Sequence, residues 1–466
     1  MYDLSVFDAI QIEGEYKLDR NQPDQKQSKQ SKQSKQLSSD DSINGDLSGS
    51  VPSNSDQDDC PMYIDVAAEY GARYLQNGGA TSRLESAIVG MGRGDKLRLE
   101  VFATPTGIFL SSSAKSEPPV TRLTRIKKST IDLGEVLRLE GLIGNYGARE
   151  LNLSSFYKKI INPPSSLGRA GFFSLAFLSG FGASLARFGD LRAAMLSACL
   201  TTFIAVLGTT LSSRFSAMEI LFNFFGSVVV FMLAGVMAPF VFMPPESIAI
   251  GTLVLLVPGL TLTNAISELA EQNLVSGTAK MMKGILVLLA IGTAYLLAQD
   301  LVSIAGLSRS LPISGGTQER ISVAPLFEFT GIVLLIISYC LMFNIPKRML
   351  PLAVFTGVAS WYTLYLMDGS SYFVLASFLP AFVAGLLSLI FARTLNTPSQ
   401  IFSVPGILSL VPGLLALSAF ESVATGSADR ISEIAFQVAT TGASITFGLF
   451  TARIPFVFLK KSQSEI

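Results

Sequence analysis

The sequence predicts a mainly α integral membrane protein of about ten transmembrane helices, arranged as two inverted repeats of five and preceded by a small α+β cytoplasmic domain. Three observations predict it. Apolar residues make up 49% of the 466 positions and charged residues only 15%, a balance far from that of soluble chains. The skew is uneven, with charge abundant from Met1 to Arg169 and a series of apolar blocks from Ala170 to Arg453. Within those blocks one short pattern occurs twice at a fixed offset.

The chain opens with a polar tail, residues 1–60. Positions 22–59 hold Lys-Gln-Ser repeats and then a Ser/Asp/Asn/Gly-rich stretch, with too few apolar residues to form a core, so this tail is expected to be disordered. Residues 61–165 then read as a small α+β domain. Positions 62–76 carry apolar residues at helical spacing and stop at Gly78-Gly79, where glycine accepts a left-handed turn. Ser82-Arg83-Leu84-Glu85 fits a capping box opening a second helix. Positions 97–102 alternate as a strand, Thr104-Pro105-Thr106-Gly107 makes a turn, and 108–112 and 121–127 read as two further strands. Helices at 131–145 and 153–161 lead into the membrane. Gly90-Met91-Gly92-Arg93-Gly94 lacks the preceding strand and the full spacing of a nucleotide-binding loop.

A membrane-spanning helix needs about 20 mostly apolar residues, because the hydrocarbon core is about 30 Å thick and a helix rises about 1.5 Å per residue. Ten stretches qualify, near 170–186, 193–213, 220–243, 247–266, 282–299, 326–346, 349–367, 371–392, 398–420 and 432–452. They are apolar on all faces, whereas helices of a soluble core keep a polar stripe. The expected organisation is a first five-helix repeat over 166–305, a linker at 306–325, a second repeat over 326–455 and a tail at 456–466. The first apolar block follows some 165 residues of polar chain, with no cleavable signal ahead of it. Segments assigned inward hold twelve Lys and Arg, outward segments five. The positive-inside rule therefore predicts a multi-pass protein of the plasma (inner) membrane with both termini cytoplasmic.

The doubled pattern is Leu255-Leu256-Val257-Pro258-Gly259-Leu260 and Ser409-Leu410-Val411-Pro412-Gly413-Leu414, 154 residues apart. Phe188-Gly189-Asp190-Leu191-Arg192 and Phe343-Asn344-Ile345-Pro346-Lys347-Arg348 repeat at an offset of 155. Agreement of the two offsets points to duplication of a five-helix unit. Five is odd, so the second copy enters from the opposite side, a recurrent plan of secondary transporters with the solute site near the midplane. Proline lacks an N–H and glycine weakens a helix, so each Val-Pro-Gly favours a break whose free N–H groups and positive dipole end suit a carboxylate. A mere packing kink is the alternative. Pro258, Gly259, Asn264, Glu268, Pro412, Gly413 and Glu421 are thus the pathway candidates. Asn264 and Glu268 share a helix face at i, i+4, and a carboxylate at membrane depth could bind an amine or carry a proton. Glu268, Glu271, Lys280 and Lys283 fit a cytoplasmic loop equally well, with the two lysines marking the membrane boundary.

Composition also excludes. Lys+Arg and Asp+Glu are equal at 35 each, so no net field argues for nucleic acid. There is no histidine, which removes Ser-His-Asp and Cys-His catalysis and every histidine metal site. The three cysteines have no ligand spacing, and Cys199 and Cys340 read as small hydrophobes packed within their spans. No metal and no cofactor is expected.

Gly79-Ala80-Thr81-Ser82-Arg83-Leu84-Glu85, then Val101 through Ile108 (VFATPTGI), then the two Leu-Val-Pro-Gly spans resemble the threonine/serine exporter family of bacteria and fungi, over about 62–455. The resemblance implies a cytoplasmic domain fused to ten helices, and export of a small amino acid across the lipid bilayer, driven by protons or another coupling ion. It implies a transporter, not an enzyme, and leaves a homo-oligomer open. In some bacteria the halves are separate chains resembling an exporter of a small dicarboxylate such as succinate, so the substrate stays open. Gly79, Arg83, Glu85, Pro105, Thr106 and Gly107 match the soluble motif. Pro258, Gly259, Asn264 and Glu268 match the first membrane motif, where the family leads one to expect aspartate in place of Glu268. The second repeat has no Asn equivalent to Asn264, which makes any site asymmetric. Arg83 and Glu85 fit a helix-start role as well as a substrate or proton role. A membrane-anchored enzyme using Arg83, Glu85 and Thr106, or a sensory protein, is the competing reading.

Overall fold

The computed structural model describes residues 55–94, 98–113, 119–126, 130–164, 167–214, 219–304, 324–367, 372–410 and 428–456. Pro412, Gly413 and Glu421, the linker at 306–323 and positions 1–54 of the tail lie outside the described residues.

The soluble elements are α1 (Ser55–Gln76), α2 (Thr81–Gly94), β1 (Arg98–Thr104), β2 (Gly107–Ser113), β3 (Val120–Arg125), α3 (Leu133–Gly147) and α4 (Leu153–Ile161). Helix α1 begins at Ser55, before the predicted start at position 62. The strands form an antiparallel meander with β2 central, and Pro105-Thr106 is the two-residue turn between the paired Thr104 and Gly107. Alternation puts Leu99, Ala103, Ile108 and Leu110 inward, where they pack with α1, α2, α3 and α4 in one core. Gly78 turns the chain between α1 and α2 at φ 87°, a conformation closed to most side chains.

The predicted capping box does not form. Glu85 Oε1 accepts the backbone N–H of Ala103 on β1 at 2.9 Å, and Ser82 Oγ donates to Glu271 at 3.1 Å. Both side chains find tertiary partners in place of the local one, and Glu85 fastens α2 to the sheet.

The apolar region forms α5 (Arg169–Phe188), α6 (Leu191–Arg214), α7 (Glu219–Val241), α8 (Pro245–Leu253), α9 (Gly259–Ala270), α10 (Leu274–Ile304), α11 (Pro325–Met342), α12 (Leu350–Leu366), α13 (Phe373–Leu395), α14 (Gln400–Ile407) and α15 (Ala428–Thr451). Among the described residues seven helices are long and apolar enough to cross a membrane: α5, α6, α7, α10, α11, α13 and α15. Of the other expected spans, α12 is shorter at 17 residues, 247–266 is broken into α8 and α9, and Gln400–Leu410 ends where the described residues end.

Within 169–304, α6 packs on α5, α8 packs against α5, α6 and α7, and α10 packs on α7 and α9. Within 325–451 the order of partners is the same where it is described: α12 on α11 and α13, α14 on α11, α12 and α13, and α15 on α13. The two groups meet where α5 crosses α11. A Cβ on Gly182 would lie 2.7 Å from the Gly331 carbonyl oxygen and 2.8 Å from the Leu335 nitrogen, and one on Gly331 2.4 Å from the Ala186 nitrogen. Position 182 meets 331 and 335 while 186 meets 331, so the helices run antiparallel, backbone against backbone as small residues permit. Outward positions are large and apolar, among them Phe203, Phe225, Leu289 and Phe447. Lipid tails solvate such side chains as well as a core would. Cys340 is buried as expected, but Cys199 is exposed on an outer face, so it is not packed in the interior.

Both members of the second repeated motif end their helix in a left-handed residue, Gly189 at φ 66° and Asn344 at φ 54°. The soluble domain seats on the Asn344 turn. Leu133 N–H donates to the Phe343 carbonyl at 2.9 Å, and the Asn344 amide donates to Asp132 at 2.7 Å. Burial pushes the Asp132 carboxyl above its ordinary pKa, opposed by the Glu135 N–H and the Asn344 amide that favour its charge.

Candidate functional site

Pro258 breaks the fourth apolar stretch for the reason the sequence predicts. A helix running through it would bond the N–H of residue 258 to the carbonyl of Val254, and proline has no such N–H. The structure supplies the missing donor from elsewhere: the Tyr339 hydroxyl of α11 donates to the Val254 carbonyl at 2.8 Å. Tyr339 is buried among Val254, Leu255, Leu260 and Ile336. The break in one group of helices is thus capped by the first helix of the other. Beyond it α9 starts at Gly259, and the first turn of a helix leaves N–H groups without intrahelical partners. Removing the cap should be costly, since Tyr339→Phe leaves a buried carbonyl unpaired. The expected loss is about 1–3 kcal/mol, read as a lower unfolding midpoint in detergent.

Asn264 lies half-buried on α9, one turn before Glu268. Glu268 is 5% exposed and lies on α9, within a helix and not in a solvent-exposed loop. Its Oε1 meets the Lys280 ammonium at 2.5 Å, and its Oε2 accepts the Ser276 hydroxyl. Lys280 therefore closes a partly buried ion pair across the α9–α10 turn and does not simply mark a boundary. The geometry also separates what spacing had grouped. Glu268 stands nine residues beyond Gly259, about 13 Å along the helix axis, so it belongs to the far end of α9 and not to the break.

Three residues on, Glu271 joins separate parts of the molecule. Its Oε2 accepts Ser82 of α2 at 3.1 Å and its Oε1 the Arg453 guanidinium at 3.1 Å. Packing repeats that junction, because a Cβ on Gly442 of α15 would meet Ile266 Cδ1 of α9 at 2.2 Å.

The soluble motif residues do not converge. Gly79 lies against the Tyr74 ring, where a Cβ would come within 2.2 Å of it. Pro105 and Thr106 form the hairpin turn, the Thr106 carbonyl accepting Ile126 N–H at 2.9 Å, and Gly107 packs against the Thr124 carbonyl. Arg83 faces a cleft and pairs with Glu140 at 3.3 Å. Arg83, Glu85 and Thr106 thus have three different surroundings and are not gathered into one site. Tyr74 donates to Glu140 at 2.8 Å. Burial first, and then the Glu140 charge, push the Tyr70 and Tyr74 hydroxyls upward, so both stay neutral. Among the described residues no cluster of Cys, Asp or Glu could hold a metal ion.

Sequence reasoning missed Tyr339, Ser276 and the pairing role of Lys280. A tyrosine inside a span was a usable signal, since its hydroxyl needs a partner there.

Seven apolar helices, one helix broken among them and a partly buried carboxylate–ammonium pair make this a multi-pass integral membrane protein with polar groups held between its helices. The family model ThrE, a threonine/serine exporter, matches residues 65–302, and ThrE_2, described as the threonine/serine exporter ThrE, matches residues 328–454. The chain belongs to the threonine/serine exporter family, whose members are membrane transporters of small-molecule substrates. No curated protein and no solved structure matches it.

Proposed function

We propose that this chain exports a small amino acid of the threonine or serine type, coupled to the proton gradient, and performs no catalysis. The observation that carries the proposal is the Pro258 break closed by Tyr339 from the opposite group of helices. A solute carboxylate would sit at the free N–H groups opening α9, where the helix dipole favours negative charge. The Glu268–Lys280 pair is the proton-linked element at the other end of α9. Protonating Glu268 neutralises it and frees Lys280, which changes how α9 is held to α10.

Two inverted repeats, 166–305 and 326–455 around a linker at 306–325, are part of the same reading. The matching order of helix partners supports it, as do the paired left-handed ends at Gly189 and Asn344 and the antiparallel crossing of α5 and α11. The 61–165 domain bonds to the Phe343–Asn344 turn and to Glu271, which in turn holds Arg453. The assignment with both termini inside puts all three of those places on the cytoplasmic side of the plasma membrane.

Purified protein in vesicles with an imposed pH gradient tests this. Labelled threonine and serine should move at a rate that falls at least tenfold when the gradient is collapsed. Movement of succinate alone would overturn the substrate, and gradient-independent movement would overturn the coupling.

A further inference from the structure

The soluble domain carries a cleft that the transport reading does not use. It lies between α2 and α3, has a volume of about 610 Å³, and is floored by Tyr70 and Tyr74 of α1. That size falls within the usual range of small-molecule sites, about 300–1,000 Å³.

Its groups are of both signs. Arg83 of α2 pairs with Glu140 of α3 at 3.3 Å at its edge, and Arg149 stands just beyond the end of α3. Among the described residues the Arg149 guanidinium has no partner, so the three charges leave one cation uncompensated. Tyr70 is fully buried, and its hydroxyl has no hydrogen-bond partner among the described residues although the Glu140 carboxylate is near enough to act on it. A buried hydroxyl left unpaired is costly, which points to a partner that arrives from the cleft. On the walls Gly90 and Gly144 leave the space open, for a Cβ at either would meet nothing within 4 Å.

We propose that this cleft binds a small zwitterionic α-amino acid, separately from the transport pathway, and regulates export from there. Arg83 and Arg149 hold the carboxylate with the Tyr70 hydroxyl as a further donor, and Glu140 takes the ammonium. A free phosphate or a dicarboxylate would set its charge against Glu140 without using that residue, whereas a zwitterion that opens the Arg83–Glu140 pair gives each of the two a partner of opposite sign. The short glycine walls admit a small side chain.

The cleft is wired to the membrane helices. Ser82 lines it and donates to Glu271, three residues from Glu268 and joined to Arg453. Movement of α2 on binding therefore reaches the α9–α10 turn. The regulatory role rests on the exporter reading, but the binding does not.

Binding of labelled threonine to the full-length protein in detergent tests the site. Gly144→Leu fills open space on a helix, where leucine is the better helix former, so it should not lower the unfolding midpoint. It should weaken threonine binding at the cleft at least tenfold, and Arg83→Gln should do the same. N-acetylthreonine and threonine methyl ester should each compete at least tenfold less well than threonine. Ser82→Ala should keep the binding while removing the dependence of export on added threonine. Unchanged binding in folded Gly144→Leu and Arg83→Gln overturns the site, as does equal competition by phosphate or succinate. If Gly144→Leu abolishes binding but vesicles move no amino acid, the site stands and the exporter reading falls. If vesicles export threonine but its binding is indifferent to Gly144→Leu, the site falls and the exporter reading stands.

Discussion

Lys280→Met is expected to destabilise the protein more than Glu268→Gln, and the double variant to be more stable than Lys280→Met alone. The asymmetry follows from burial. The Glu268 side chain is 7% exposed and that of Lys280 24%. Removing the lysine strands a carboxylate with only the Ser276 hydroxyl, and breaking a buried pair in this way costs about 3–5 kcal/mol. Removing the charge from Glu268 leaves an amide whose oxygen still accepts from Ser276, while the lysine's partly exposed ammonium can swing toward solvent. Replacing both charges removes the stranded group. Unfolding midpoints of the four proteins in one detergent measure the cycle, and additive losses would show that the two side chains do not couple. Transport reads the other half. If the pair is the proton-linked element, the stabilised double variant should still export at least tenfold more slowly than the native chain under a pH gradient. A double variant that folds and exports at the native rate would make the pair structural only.

That pair shows where the sequence was legible and where it was not. The spans could be read because their residues are apolar on every face, and the break because proline's missing N–H is a property of one residue. The meander could be read from alternation in Leu99–Ala103 and from Pro105-Thr106 between two strands. Pairings made by tertiary folding had no local trace. Glu268 and Lys280 are twelve apart, a spacing with no meaning on one helix; they meet because Gln272 turns the chain at φ 66° between α9 and α10. Tyr339 is 85 positions from Val254. Ser82 and Glu85 had a plausible local partner in each other, and contacts with Glu271 and Ala103 won instead.

Gly331→Val should be among the most damaging single substitutions in the membrane region, and its cause is backbone geometry. The added Cβ would lie 2.4 Å from the Ala186 nitrogen, 2.6 Å from the Gly182 oxygen and 2.7 Å from the Ala186 Cα. All three are main-chain atoms of α5, so no rotamer change relieves the clash. The two helices must separate instead. Overpacking of this kind costs about 1–3 kcal/mol or more, and separation also loosens the Tyr339–Val254 bond eight residues further along α11. Gly182→Val should act in the same way from the opposite face, because its Cβ would meet Gly331 and Leu335 backbone atoms at 2.7 and 2.8 Å. Gly141→Ala is the control, since a Cβ there meets nothing within 4 Å. Yield and unfolding midpoint in detergent distinguish the cases, and a native midpoint for Gly331→Val would mean that α5 and α11 are not in contact. Because the two groups of helices pack backbone to backbone at this crossing, a folded Gly331→Ala that exports slowly would also make it a surface on which they move past each other.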